Sequence, residues 1–178
     1  MALVDNLANC LFFEFSCVFG SLHLHFSNSD FDNNICLLNW GNANVSQSEA
    51  SHTEAIRQLL VRYSLTDPAA NLAEGVFENQ TLQQLYATLI QQGNVSYVDA
   101  LKVACAIEEI DILDLQNALV NVDNQDIRIV YDNLTKGSRN HLRSFVNALS
   151  MIGVTYVPQY LTTAAYNAII TTPIERGN

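Results

Sequence analysis

From residue 42 onward, apolar and polar positions alternate with the period of an α-helix, about 100° per residue. Val45, Ile56, Leu59, Leu60 and Tyr63 fall on one side of a helix, and Gln47, Glu54, Arg57, Gln58 and Arg62 on the other. This pattern predicts an amphipathic helix over 44–63, followed by the Pro/Gly-marked connection LTDPAANLAEGVF. Residues 81–92 (TLQQLYATLIQQ) read as a shorter helix stopped by Gly93. Ser96 is placed to cap a third helix reaching about Val120, with Asp99 at the capping-box position. Asn124 or Gln125 opens a long helix to about Met151, ended by Gly153, and Thr162 or Thr163 caps a last short one, AAYNAII.

The first part of the chain has a different character. Residues 1–56 hold no Lys or Arg, and six of the eight Phe precede residue 32. SLHLHFS alternates as a strand would, but its neighbours read as turn or coil. The organisation expected is an atypical N-terminal segment at 1–40, a helical domain at 41–171 and a tail at 172–178. The fold class expected is all-α.

Polar residues interrupt the apolar stripes. Glu49 and His52 lie within the first stripe. In the third helix Glu108 sits at the centre of a stripe formed by Leu101, Ala104, Cys105, Ile112, Leu115 and Leu119, with Asp111 at its flank and Glu109 nearer its edge. In the fourth, His141 lies in the stripe of Ile127, Tyr131, Leu134, Phe145 and Leu149, three residues after Ser138. A charge on an inward face is costly unless something pairs with it. A Glu-x-x-His pair puts both heads on one helical face within reach of one ion. Carboxylate and imidazole suit iron, manganese or, less well, zinc, and the metal's charge would keep the acids ionised. The metal candidates are therefore Glu49, His52, Glu108, Glu109 and His141, with Glu49 and Glu108 bridging or terminating the ion, His52 and His141 as nitrogen ligands, and Tyr131 as an outer hydrogen-bond donor. The competing reading is structural. Glu108 would pair with Arg139 or Arg143, His141 would bond a carbonyl or Tyr131, and Asp111 and Asp114 would be solvated.

Composition narrows the choice. The chain has 178 residues, is 49% hydrophobic and 15% charged, and carries a formal charge of −10. That balance argues against nucleic acid or an anionic membrane as partner, since both need clustered Lys and Arg. No apolar run reaches transmembrane length, and the start lacks the basic region of a signal peptide. Cys10, Cys17, Cys36 and Cys105 form no CxxC, and Cys105 falls at a core-facing position. No G-x-S-x-G, Walker A or G-x-G-x-x-G motif occurs.

The stretches WGNANVSQSEASHTEAIRQLLVRYSL, GVFENQTLQQLYATLIQQG, DALKVACAIEEIDILDLQNAL, IRIVYDNLTKGSRNHLRSFVNAL and YVPQYLTTAAYNAII resemble, in order, the ferritin-like family of domain of unknown function 2202. The resemblance spans about residues 40 to 170. It implies a ferritin-like four-helix bundle with a carboxylate/histidine metal site, and carries Glu49, His52, Glu108 or Glu109, and His141 into that site. It implies no particular reaction; iron, oxygen or peroxide chemistry is an analogy of fold. The family's acid-rich stretch of the form EEEKLARDVY has no counterpart before WGN, where this chain reads SLHLHFSNSDFDNNICLLNW. The first helix of the bundle is thus expected to be atypical, and the metal site dinuclear, mononuclear, distorted or absent. With an incomplete site, the chain would instead be a non-catalytic binding or structural bundle, its apolar groove open to a partner or a second copy.

Overall fold

The computed structural model describes residues 35–73 and 75–176. They form five helices and no strand: α1 (Ile35–Arg62), α2 (Gln80–Gly93), α3 (Tyr97–Leu119), α4 (Gln125–Met151) and α5 (Thr163–Ile170). The all-α expectation holds for these residues; the strand-like SLHLHFS lies outside them. None of the described helices is long and apolar enough to cross a membrane.

Local chemistry sets the helix ends. Asn79 caps α2 by accepting from the backbone N–H of Thr81 and Leu82. Ser96 caps α3, taking the Asp99 N–H at 3.1 Å while its own hydroxyl donates to the Asp99 carboxylate at 2.6 Å. Asp99 is one methylene shorter than the usual Glu, and its bond goes to the Ser96 hydroxyl. Thr162 caps α5 through Ala165 N–H. Gly153, at φ +76°, turns the chain out of α4 and lets Val154 N–H return to Leu149 C=O at 2.9 Å. One boundary differs from the sequence reading. α1 is already helical at Ile35 rather than from Asn44, through a stretch whose Asn and Gly residues carry low helix propensity.

α3 is the centre of the fold. Residues 103–112 are all buried, so the helix is covered on every side. It packs most extensively on α4, and on another face its Val103, Ile107 and Ile110 are covered by Leu82 and Leu89 of α2 and by Phe77 just before it. α1 lies on α4, as does α5. Two further apolar clusters fill the space between α1, α3 and α4. One gathers Ile56, Leu59, Leu60, Leu115, Ile127, Tyr131 and Leu134. The other gathers Val45, Leu101, Ala104, Cys105, Leu142, Phe145 and Leu149 with Tyr156, Leu161, Tyr166 and Ile169. Cys105 is free and fully buried, a small core hydrophobe as its position predicts.

Candidate metal centre

Along α1 the two clusters are separated by Glu49 and His52, and along α4 by Ser138 and His141; on α3, Glu108 and Asp111 lie between Cys105 and Ile112 of the second cluster, ahead of Leu115 of the first. Each pair is spaced three residues apart, so each helix presents two polar heads from adjacent turns of one face. Glu49, Glu108, Asp111, Ser138 and His141 are all buried, forming a polar layer inside an otherwise apolar interior.

One ligand atom each from Glu49, Glu108 and His141 lies within 4.8 Å of the other two. His141 Nδ1 is the hub. It is 3.2 Å from Glu108 Oε1, in hydrogen-bonding alignment, and 2.9 Å from Glu49 Oε1. An imidazole carries at most one hydrogen on Nδ1, which can align fully with only one of the two carboxylates. Glu49 Oε1 accordingly has no hydrogen-bond donor although it is the nearer oxygen. Its other oxygen is 3.3 Å from His52 Nδ1. Ser48 Oγ lies 3.4 Å from His52 Nε2, at the solvent edge of the layer. The two imidazole centroids are 5.8 Å apart. Gly137 makes room for this arrangement: a Cβ there would stand 2.6 Å from His52 Cε1 and 2.7 Å from Nε2.

Three more buried oxygens, Glu108 Oε2, Asp111 Oδ1 and Ser138 Oγ, have no aligned hydrogen bond, although the Ser138 hydroxyl approaches the Glu108 carboxylate. Such atoms are rare in folded proteins and call for an explanation. Burial raises the Glu108 carboxyl to about 7 against the pull of His141. It raises Asp111 well above the usual range, and the charges of Glu108 and Glu49 act in the same direction. Burial also opposes charging of His141, but Glu108 and Glu49 outweigh it and lift the imidazole to about 10. At Glu49 burial is outweighed by His141 and His52, which hold the carboxyl below its ordinary value. The layer thus sets three acids against two imidazoles, and it would be short of positive charge were all three acids ionised.

The family model for "Uncharacterized protein domain (DUF2202)" matches residues 39–173. The chain belongs to this family. This DUF2202 chain is 46% identical over 134 residues to "Uncharacterized protein MJ0754" of Methanocaldococcus jannaschii, covering 75% of its own length and 72% of that protein. Its fold matches the crystal structure of hypothetical protein MJ0754 from Methanococcus jannaschii with a TM-score of 0.85 and 36% identity, over 97% of this chain and 93% of that one.

Of the five residues nominated from the DUF2202 sequence, four share this layer: Glu49, His52, Glu108 and His141. Glu109 points elsewhere. Its carboxylate accepts from Tyr156 Oη at 2.6 Å and from the backbone N–H of Gln159, Tyr160 and Leu161, fastening the loop before α5 to α3. Tyr131 is fully buried among the apolar residues on one side of the layer. The ion pairs imagined for Glu108 do not form. Arg139 and Arg143 are both engaged by Glu175 of the C-terminal segment. Nor is Asp111 solvated; it is 2% exposed. Its burial was not readable from its place at the flank of a stripe, because α3 has no outward flank over 103–112.

Could a cation fit? Ligand atoms about 2.1 Å from an ion and at right angles to each other stand about 3.0 Å apart. The 2.9 and 3.2 Å separations around His141 Nδ1 match that spacing. The donor set of two carboxylates and one or two imidazoles is one that iron, manganese and zinc accept.

Proposed function

We propose that this chain is a ferritin-like metal-binding protein, with α1, α3 and α4 contributing to a four-helix bundle that carries an ion between Glu49, Glu108 and His141, and His52 as a further nitrogen ligand. The observation that carries this reading is the donorless Glu49 Oε1 held 2.9 Å from His141 Nδ1 in a buried, acid-rich layer. A cation would take the place of the Nδ1 proton and satisfy all three ligands, whereas the proton satisfies two. Iron or manganese suits this donor set better than zinc, which favours more nitrogen or sulfur. Such an ion would supply redox chemistry toward oxygen or peroxide. The chain's own part would be to hold the ligands rigidly on three helices and to surround them with apolar side chains.

A second reading is a non-catalytic bundle whose polar layer only bonds to itself. The hydrogen bond already joining His141 to Glu108 favours it. Elemental mass spectrometry of the purified chain, beside a Glu49→Ala/His141→Ala variant, decides between them. About one or two iron or manganese ions per chain, lost in the variant, is the result expected for a bundle site. Metal-free protein after growth and after reloading with each ion would overturn the metal reading. Peroxide consumption or iron oxidation that disappears in the same variant would establish redox chemistry.

A further inference from the structure

On the face of α4 turned away from Ser138 and His141, one helical turn reads a single glutamate. Arg139 meets the Glu175 carboxylate with two parallel bonds, Nε to Oε1 at 2.7 Å and Nη2 to Oε2 at 2.5 Å. Arg143 Nη2 adds a third, to Oε1 at 2.9 Å. Between them, Asn140 takes the main chain of the same residue. Its Nδ2 donates to the Glu175 C=O at 2.9 Å, and its Oδ1 accepts the Glu175 N–H at 2.9 Å. A guanidinium fork on a carboxylate is selective for that planar group. The Asn140 amide adds a requirement for a peptide N–H and C=O beside it.

The cradle is built without its occupant. Arg143 Nε donates to the Ile169 C=O at 3.0 Å and Nη1 to Asn140 Oδ1 at 2.9 Å, so α5 and Asn140 hold this guanidinium in place by themselves. The occupant is gripped at one residue. Pro173, Ile174 and Arg176 on either side of Glu175 are exposed, Ile174 by 61%. The site therefore recognises a glutamate and its own peptide groups, not the side chains that flank it. The chain's formal charge of −10 makes most of its surface unattractive to an acidic segment. Two guanidiniums one turn apart reverse that locally.

We propose that Arg139, Asn140 and Arg143 form a recognition site for a glutamate-bearing segment of another protein, which the chain's own Glu175 occupies and keeps closed until it is displaced. The proposal is independent of the metal reading. Residues 171–174 tether Glu175 to the end of α5 at Ile170, and a tether that short gives a local concentration on the order of millimolar. A partner displaces it by adding contacts of its own around the glutamate.

The test titrates a capped peptide of sequence TTPIERGN, residues 171–178, into the full chain as wild type and as Glu175→Ala. One Glu and one Arg leave this peptide without net charge. Binding is read from the backbone amide resonances of residues 138–144 in nuclear magnetic resonance, and thermal melting checks the fold of each variant. The expected result is saturable shifts in Glu175→Ala, with half-saturation about tenfold or more below that of the wild type, the factor by which the tether competes. The shifts should vanish when the peptide carries Glu175→Gln. They should also vanish in Glu175→Ala/Arg139→Lys, which keeps the charge and loses the fork. Absence of saturable binding to Glu175→Ala, equal binding to the wild type, or equal binding of the Gln peptide would overturn the proposal. So would full displacement of the peptide by an equal concentration of acetate, which would leave an anion site only. A wild-type dimer in sedimentation that Glu175→Ala dissolves would also overturn it, by making a second copy the occupant.

Discussion

His141 Nδ1 lies 2.9 Å from Glu49 Oε1, so an imidazole of α4 and a carboxylate of α1 are in ion-pair contact with almost no access to water. Without metal this contact and the Glu108 hydrogen bond are what keep the acids of the layer compensated. Removing one partner of a buried pair leaves the other charge stranded, at a cost of about 3–5 kcal/mol. His141→Ala should therefore lower the unfolding free energy of the metal-free chain by about 3 kcal/mol in urea titration. A His141→Ala/Glu49→Gln variant should recover part of that loss, since no unmatched charge then remains at Glu49. Additive losses would mean that the two side chains are not coupled.

The role of His52 can be separated from that of His141 through Gly137. An added methyl there would stand 2.6 Å from the His52 ring, whose far end can yield by swinging toward solvent. Alanine is also the better helix former by about 1 kcal/mol. Gly137→Ala should thus melt within a few degrees of the wild type yet bind Mn²⁺ about tenfold more weakly by calorimetry, the loss of one ligand of modest strength. Unchanged affinity would remove His52 from the ligand set.

Glu109 offers the opposite outcome. Its carboxylate receives Tyr156 Oη and three backbone N–H groups. Glu109→Ala would strand buried donors at about 1–3 kcal/mol each, partly relieved by water entering from the loop. A loss of about 3 kcal/mol in stability is expected, with the metal count per chain unchanged. A variant as stable as wild type but without metal would place Glu109, rather than Glu108, at the ion.

The contrast between these neighbours shows how far the sequence could be read. Helices α2 to α5 were legible because Gly93, Ser96, Thr162 and Gly153 mark their ends chemically, and because the stripes of α1 and α4 have a true polar side. The meeting of Glu49, His52 and His141 followed from the same stripes. The choice between Glu108 and Glu109 did not, since α3 is buried all round over 103–112 and position on a stripe carries no information there. The stripe pattern places Asp111 at a flank for the same reason. The partners of Arg139 and Arg143 were invisible because both lie on the hydrophilic side of α4, where the periodic pattern says only that water or something polar covers them. The cover is Glu175, a lone acid in a tail with no periodicity of its own.

That tail makes a pH-dependent fastening. Glu175 accepts from Arg139 Nε at 2.7 Å and from Arg143 at 2.9 Å, and its backbone bonds Asn140 in both directions. The Arg139 guanidinium foremost, with Arg143, holds its carboxyl down at about 2, against an ordinary value of 4.5. The folded chain therefore binds this proton less readily than the unfolded chain. The stabilisation is fully present above about pH 4.5 and is lost as pH falls toward 2. The side chain is 30% exposed. Solvent screening on that side limits the contribution to about 1 kcal/mol, or about 2–4 °C in melting temperature for a chain of this size. Glu175→Gln should melt lower than wild type by that margin at pH 7, and the two melting curves should converge as the pH is lowered from 5 to about 2.5. A difference that stays constant across that range would mean that the tail is held by its backbone bonds to Asn140 and not by the charge of Glu175.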